Sequence, residues 1–251
     1  MNRSIIFGFV IVLTLSMVCG SAGADEIWVP KGGNQTIQQA VDNASAGDTI
    51  IVKDGVYTEN VDVSVDNLTI KSENGSANCI VNADNSNDNV FEVKADYVNI
   101  SGFTVTGATG SSKAGIYIYG TGSTPALNNS IKNCTANEND AGIYLKGAGA
   151  KYSIIENNTC SENKYGLRMC SAKKNAIKYN AFITNEYGIH LSNADSNNIS
   201  CNYIYATAMA SISMMVQQIT RSGRTTSSQT AISTSQAADT SGSSATTNPL
   251  M

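Results

Sequence analysis

From residue 131 the chain sets apolar and polar positions in short alternating bursts, and the bursts recur. The unit has the form I-x-N-N-x-x-x-x-N-x-Y-G-I-x-L and begins at Ile131, Ile155, Ile177 and Ile199, in steps of 24, 22 and 22 residues. Asn139, Asn163 and Asn185 hold one position of the unit, Gly142, Gly166 and Gly188 another, and Asn158, Asn180 and Asn202 a third. Within each unit the apolar positions alternate, as in Gly142-Ile143-Tyr144-Leu145, which is the mark of a half-buried strand rather than a helix. Ile143 and Leu145 are expected to point inward and Tyr144 outward. A period near 22 is too short for paired-helix repeats and lacks a leucine-rich signature. Two or three short strands with their turns fit one coil of a right-handed parallel β-helix, an all-β fold whose coils of about 22–24 residues stack at the strand spacing of about 4.8 Å. The glycines are expected at tight turns, where a Cβ would be resisted. The asparagines are expected as ladders, hydrogen-bonded to the coils above and below.

Before residue 131 the pattern is looser but compatible. Thr36 to Ala44 carries Ile37, Ala40, Val41 and Ala44 at helical spacing. A short N-terminal helix there would cap the coil stack, whose open end exposes core and strand edges. Thr49 to Val52 begins the strands. Val61/Val63/Val65, Leu68/Ile70, Val90/Phe91/Val93 and Val98/Ile100 supply further strand cores, with Asn- and Gly-rich turns between them. Gly120 to Ala126, containing Pro125, reads as an inserted loop.

The two ends depart from the pattern. Arg3, the apolar run Ile5 to Val18 and the A-x-A of Ala22-Gly23-Ala24 make residues 1–24 a signal peptide, too short for a comfortable membrane span. Cys19 offers a lipoprotein alternative, but Val18 before it is not small. The β-helix domain is expected over 25–206. Residues 207–251 contain no aromatic residue, one Asn and nineteen Ser or Thr. A flexible, O-glycosylated stalk is one reading of this tail. The other is a frameshift, because codon logic restores the repeat. If one base is missing near Ala206–Thr207, Met209-Ala210 forces a glycine codon at position 210, which is 22 residues beyond Gly188. Positions 211 to 213 then admit Ile, Tyr and Leu, and positions 215 and 216 are forced to Asp and Gly. On this reading the tail as given is disordered.

Composition narrows the function. Lys+Arg 16 against Asp+Glu 20 leaves no basic footprint for a nucleic-acid partner. A single His excludes imidazole-rich metal sites. Cys79, Cys134, Cys160, Cys170 and Cys201 follow the signal segment. They are an odd number without C-x-x-C, so they read mainly as small thiols filling a core. N-x-S/T occurs at Asn34, Asn43, Asn67, Asn74, Asn99, Asn128, Asn133, Asn157 and Asn198, so surface glycosylation is expected, except at ladder positions such as Asn157.

Chemistry on such a scaffold would lie on its outer surface. Paired carboxylates would serve hydrolysis, and acidic residues holding Ca²⁺ with a nearby base would serve elimination. The motifs N-T-D, D-D, G-H-G and D-P-H-D are absent, and Asp84, Asp88 and Asp96 read as a solvated turn. No catalytic residue, metal site or cofactor is assigned. One outward row stands out: Tyr117, Tyr144, Arg168 and His190, with Tyr165 and Tyr187 near the same edge. Aromatic rings with polar tips suit sugar faces, and Arg and His add donors. Ordinary stacking of exposed side chains is the plainer account. Lys132, Glu156 and Lys178 form a second row of alternating sign, read as a surface ladder.

The stretch TIQQAVDNASAGDTIIVKDGVYTENVDVSVDNLTIKSENG resembles the opening of pectin-lyase-like β-helix proteins, and is most similar to NosD-like and archaeal cell-surface members such as those of methanogens. NNTCSENKYGLRM and NAFITNEYGIHL resemble their coil repeat, so the likeness covers about 26–206. It implies the fold and leaves the activity open. The expected function is a secreted, non-catalytic cell-surface module that builds the envelope or binds its carbohydrate. Its partners would be envelope polysaccharide or surface-layer proteins, with membrane contact only through the signal peptide. The alternatives are a polysaccharide-active lyase, hydrolase or epimerase, and copper handling by likeness to NosD. The lone His and dispersed Cys give the last no ligand set. A carboxylate pair or Ca²⁺ cluster within about 10 Å of the Tyr/Arg/His row would favour the enzyme.

Overall fold

The computed structural model of the protein describes residues 23–30 and 35–205. The expected signal segment falls outside them except for its last two residues, and the expected tail falls outside them entirely.

Alternation of period two gives short strands, and the repeat stacks them. Each complete coil lends one strand to each of three parallel sheets, and the last described coil lends one to the first two. The first sheet runs Glu26–Val29, Thr49–Val52, Thr69–Ser72, Asn99–Ser101, Ser130–Lys132, Ile154–Glu156, Ala176–Lys178, Asn198–Ser200. The second runs Gly55–Thr58, Cys79–Asn82, Thr104–Thr106, Thr135–Asn137, Thr159–Ser161, Ala181–Ile183, Tyr203–Tyr205. The third runs Val61–Val63, Phe91–Val93, Ala114–Tyr119, Ala141–Lys146, Tyr165–Cys170, Tyr187–Ser192. Neighbours in each sheet come from successive coils, so the described residues form a parallel β-helix of about seven coils. The stretch read as an inserted loop ends one residue early, because Ala126–Leu127 pairs with Ala150–Lys151 as a two-stranded extra ribbon.

The register stacks like on like. Ile50, Ile70, Ile100, Ile131, Ile155, Ile177 and Ile199 are successive partners and all are buried. Burying each such side chain contributes about 1.5–3 kcal/mol. Cys79, Cys134 and Cys160 are buried and free, as small core thiols. Burial pushes the Cys79 thiol up to about 12 and the Cys134 thiol up to about 11.

Asparagine ladders line two corners as expected. The N–H of Asn139 donates to Asn163 Oδ1 at 2.9 Å, and the N–H of Asn163 donates to Asn185 Oδ1 at 3.0 Å. Asn158, Asn180 and Asn202 repeat the arrangement at 3.0 and 2.9 Å. The residue before each ladder position has left-handed backbone, for example Asn157 (φ 56°), Tyr179 (φ 57°) and Thr184 (φ 53°). That conformation costs a residue with a Cβ roughly 1–2 kcal/mol, and the ladder bonds offset it. Asn157 is therefore an exposed corner, and the ladder residue is its neighbour Asn158, which corrects the expectation that Asn157 is inaccessible. The third corner carries a ladder that the repeat did not reveal: Asn129, Asn175 and Asn197, interrupted by Ser153.

The expected turn glycines need a different explanation. Gly142, Gly166 and Gly188 lie buried inside third-sheet strands, and none has positive φ. A Cβ on Gly142 would stand 2.8 Å from Gly166 O and 3.0 Å from Asn163 Nδ2; on Gly166, 2.8 Å from Asn185 Nδ2. At Gly142 and Gly166, glycine is required by close approach of the following coil, first the carbonyl oxygen of its own glycine and then its ladder amide and core side chain, not by a turn.

Helix α1 (Ile37–Asn43) caps the first coil. Thr36 and Gln39 form a reciprocal capping box, and Ile37, Ala40 and Val41 are buried. The Glu59 carboxylate accepts the N–H groups of Ile37 and Gln38, both at 3.0 Å. Gln38 covers the edge of Val61–Val63 by accepting from the Asp62 N–H at 2.6 Å and donating to the Asp62 carbonyl at 3.2 Å.

Candidate functional site

The residue between two inward apolar side chains of each third-sheet strand points away from the core, and parallel register sets these residues in a row. One row reads Asp62, Glu92, Tyr117, Tyr144, Arg168, His190, each the register partner of the next. The four residues picked out from the repeat do adjoin. Asp62 and Glu92 extend the row by two coils. They were missed because the steps to them, 25 and 30 residues, leave the 22–24 period. The signal was present in Val61-Asp62-Val63 and Phe91-Glu92-Val93, whose alternation already marks the middle residue as outward.

The row is not a flat, open platform. Tyr117 is 9% exposed and Tyr144 2%. Together with Ala114 and Ala141 they form a second apolar cluster outside the helix, against which Tyr119, Tyr165 and Cys170 pack. The small alanines beside them leave room for the rings to lie down. Tyr144 meets Tyr117 at 5.2 Å between ring centroids. Burial first, and the nearby Cys170 second, push the Tyr144 hydroxyl well above its usual range.

Further along, the column of Ala114 and Ala141 continues as Tyr165 and Tyr187, and the surface opens. The Arg168 guanidinium sits between two rings, 4.8 Å from the Tyr144 centroid and 4.9 Å from that of Tyr165. Its Nη1 donates to Ser112 Oγ at 3.2 Å and lies 3.9 Å from Asp140 Oδ2. Tyr165 stacks on Tyr187 at 5.1 Å, and His190 leans on both, 5.1 Å from Tyr165 and 6.1 Å from Tyr187. Burial, reinforced by Arg168, lowers the His190 pKa, so the ring is neutral near pH 7. Arg168, His190, Tyr165 and Tyr187 are all half-buried, with part of each surface open.

The other end of the row is acidic. Glu92 accepts from Asn89 Nδ2 at 2.9 Å and pairs with Lys94. Asp62 titrates above its usual range through burial first and the neighbouring Glu92 second. Adjacent parallel strands lie about 4.8 Å apart, so the two carboxylates are neighbours. Two of the three turn acids are engaged elsewhere: Asp88 pairs with Lys113 at 3.2 Å, and Asp96 accepts the Leu127 N–H at 2.7 Å. On the first sheet Lys132 and Glu156 pair at 3.1 Å, as the alternating row implied.

The family described as periplasmic copper-binding protein (NosD) matches residues 41–234, a span that runs past the last described residue. The described residues do not fit copper. No three of their His, Cys, Asp and Glu side chains converge to hold a metal ion. Cys79, Cys134 and Cys160 are sealed in the core, and the one imidazole is walled by tyrosines. A cell surface glycoprotein of Methanothermus fervidus is 38% identical over 125 residues, covering 49% of this chain and 20% of that protein. The chain thus spans about a fifth of the curated relative it matches. A pectin methylesterase solved with a hexasaccharide superposes with a TM-score of 0.52 at 14% identity, over 72% of this chain and 65% of that one. The pectin methylesterase of Erwinia chrysanthemi gives 0.50 at 13%, over 74% and 66%. At such identity the two structures speak for the pectin-lyase-like fold alone. The repeat, the coil stack built from it and the matched span agree: the chain belongs to the NosD family of parallel β-helix proteins.

Proposed function

We propose that the protein is a secreted, non-catalytic module of the cell surface that holds envelope carbohydrate on the outer face of its third sheet. The observation that carries this is the half-open cluster of Tyr165, Tyr187, His190 and the ring-clamped Arg168. Stacked tyrosines offer apolar faces to sugar C–H groups, while fixed Arg and His edges supply directional hydrogen bonds. Rigid strands hold all four, so little ordering entropy is lost on binding. The surface location is supported by the glycoprotein relative and by the periplasmic family description. Envelope polysaccharide is the expected partner, with surface-layer proteins beside it. Exposed sequon residues such as Asn74, Asn99, Asn133 and Asn157 are open to glycosylation. A glycan-array screen of the mature chain tests the reading, and saturable binding to at least one surface-type glycan is expected. No binding to any would leave a purely structural role.

Asp62 and Glu92 favour a second reading, a polysaccharide-active enzyme, because they place neighbouring carboxylates on the same row, one coil from Tyr117. An enzyme would release products from envelope polysaccharide and lose that release in Glu92→Gln by 100-fold or more, on the order of a lost general acid or base. The module reading expects no release from either protein.

A further inference from the structure

The upper rim of the coil stack is built to receive another coil. Wherever one ladder asparagine follows another, the lower one directs its N–H and Nδ2 at the Oδ1 of the one above, as Asn158 does to Asn180 and Asn163 to Asn185. Asn185, Asn197 and Asn202 end the three ladders. Their Oδ1 atoms are occupied by the N–H groups of Asn163, Asn175 and Asn180. Among the described residues no acceptor meets the N–H of any of the three. The strands Tyr187–Ser192, Asn198–Ser200 and Tyr203–Tyr205 are the last of their sheets, and Leu191 and Ile204 are only partly covered. The opposite end differs: helix α1 covers it, and Gln38 satisfies the strand edge there.

This pattern selects its occupant. The rim offers donors at its corners, so a second rim meeting it tail to tail would oppose donor to donor. A coil of the same repeat offers three Oδ1 acceptors at the required places. The residues after 205, as given, contain Asn248 as their single asparagine where the repeat calls for three. Read one base out of frame, the same stretch can begin such a coil. Position 207 admits Asn, 22 residues after Asn185, because the first two bases of the Thr207 codon follow the third base of Ala206. Position 209 admits Tyr, 22 after Tyr187, and position 210 is forced to Gly, 22 after Gly188. Positions 211 to 213 admit Ile, Tyr and Leu, the inward-outward-inward pattern of Ile143-Tyr144-Leu145. We propose that the rim formed by Asn185, Asn197 and Asn202 is the docking surface for a further coil of this same chain, encoded from position 207 in the alternative frame.

Two measurements test this. Source DNA sequenced across codons 205 to 208 is expected to contain one additional base; an intact frame would overturn the proposal. The frame-restored full chain is then compared with the chain as given by hydrogen exchange. The Asn185, Asn197 and Asn202 amides are expected to exchange at least 100-fold more slowly in the restored chain. Equal rates would overturn it. So would protection of these amides in the given chain that appears only with dimer formation, since a second copy would then be the occupant.

Discussion

Ser153 stands where Asn129, Asn175 and Asn197 stand on neighbouring coils, and the substitution leaves two buried polar atoms, Asn129 Nδ2 and Ser153 Oγ, without partners. An unsatisfied buried donor costs about 1–3 kcal/mol. Ser153→Asn should place an Oδ1 above Asn129, where its N–H and Nδ2 can donate, and a new Nδ2 against Asn175 Oδ1, completing the ladder. Stability is expected to rise by about 1 kcal/mol, which raises Tm by about 2–4 °C for a chain of this size; thermal unfolding checks it. A second residue-scale expectation concerns His190. Its folded pKa is lowered, so the fold favours the neutral ring while the unfolded chain takes up a proton near pH 6.5. Stability should fall as pH drops below about 6.5 and level off once the folded ring also protonates. Urea midpoints between pH 7.5 and 5 should show this slope in the native chain, and His190→Gln should flatten it. At this scale the sequence was legible where a residue is costly anywhere else. Asparagine recurring in an apolar repeat has to be paired, so two ladders could be read directly. The third was hidden by Ser153, and the glycines were misassigned because a sequence does not distinguish left-handed backbone from close approach.

At the scale of elements, helix α1 was legible from Ile37, Ala40, Val41 and Ala44 alone, since an i, i+3, i+4 stripe needs no distant information. What fixes it in place was not. Glu59 lies more than twenty residues beyond the helix N-terminus that it caps, and the Gln38 side chain imitates a strand against Asp62. Glu59→Ala removes the acceptor of two helix N–H groups and a charge favourable to the helix dipole. A loss of about 1–2 kcal/mol is expected. Exchange should quicken first in Ile37–Asn43 and Val61–Val63 and only later in the coils above. Uniform destabilisation would mean that the cap and coils unfold as one unit. The outer-face strands show the same division. Their register was readable from the 22-residue step, but the cover over Tyr117 and Tyr144 was not. It depends on how Ala114, Ala141 and the two rings meet across coils and on the Ser112 and Asp140 contacts of Arg168, and these cross-coil contacts are non-local.

For the molecule as a whole, repetition makes the fold readable, because every coil states the same rule and errors in one are corrected by the next. Function has no such redundancy: over six coils the row changes from carboxylate to tyrosine to arginine to histidine, and no side chain type persists beyond two coils. The central claim is that the open end of this row holds envelope carbohydrate. Affinity electrophoresis of the β-helix protein through gels containing purified envelope polysaccharide tests it most directly, with Tyr187→Ala and Arg168→Ala beside the native protein. Both variants are expected to lose most of the retardation, at least tenfold in apparent Kd, with far-ultraviolet circular dichroism unchanged. Equal retardation of all three proteins, or none for the native chain, would contradict the account and leave the row as coil-to-coil packing.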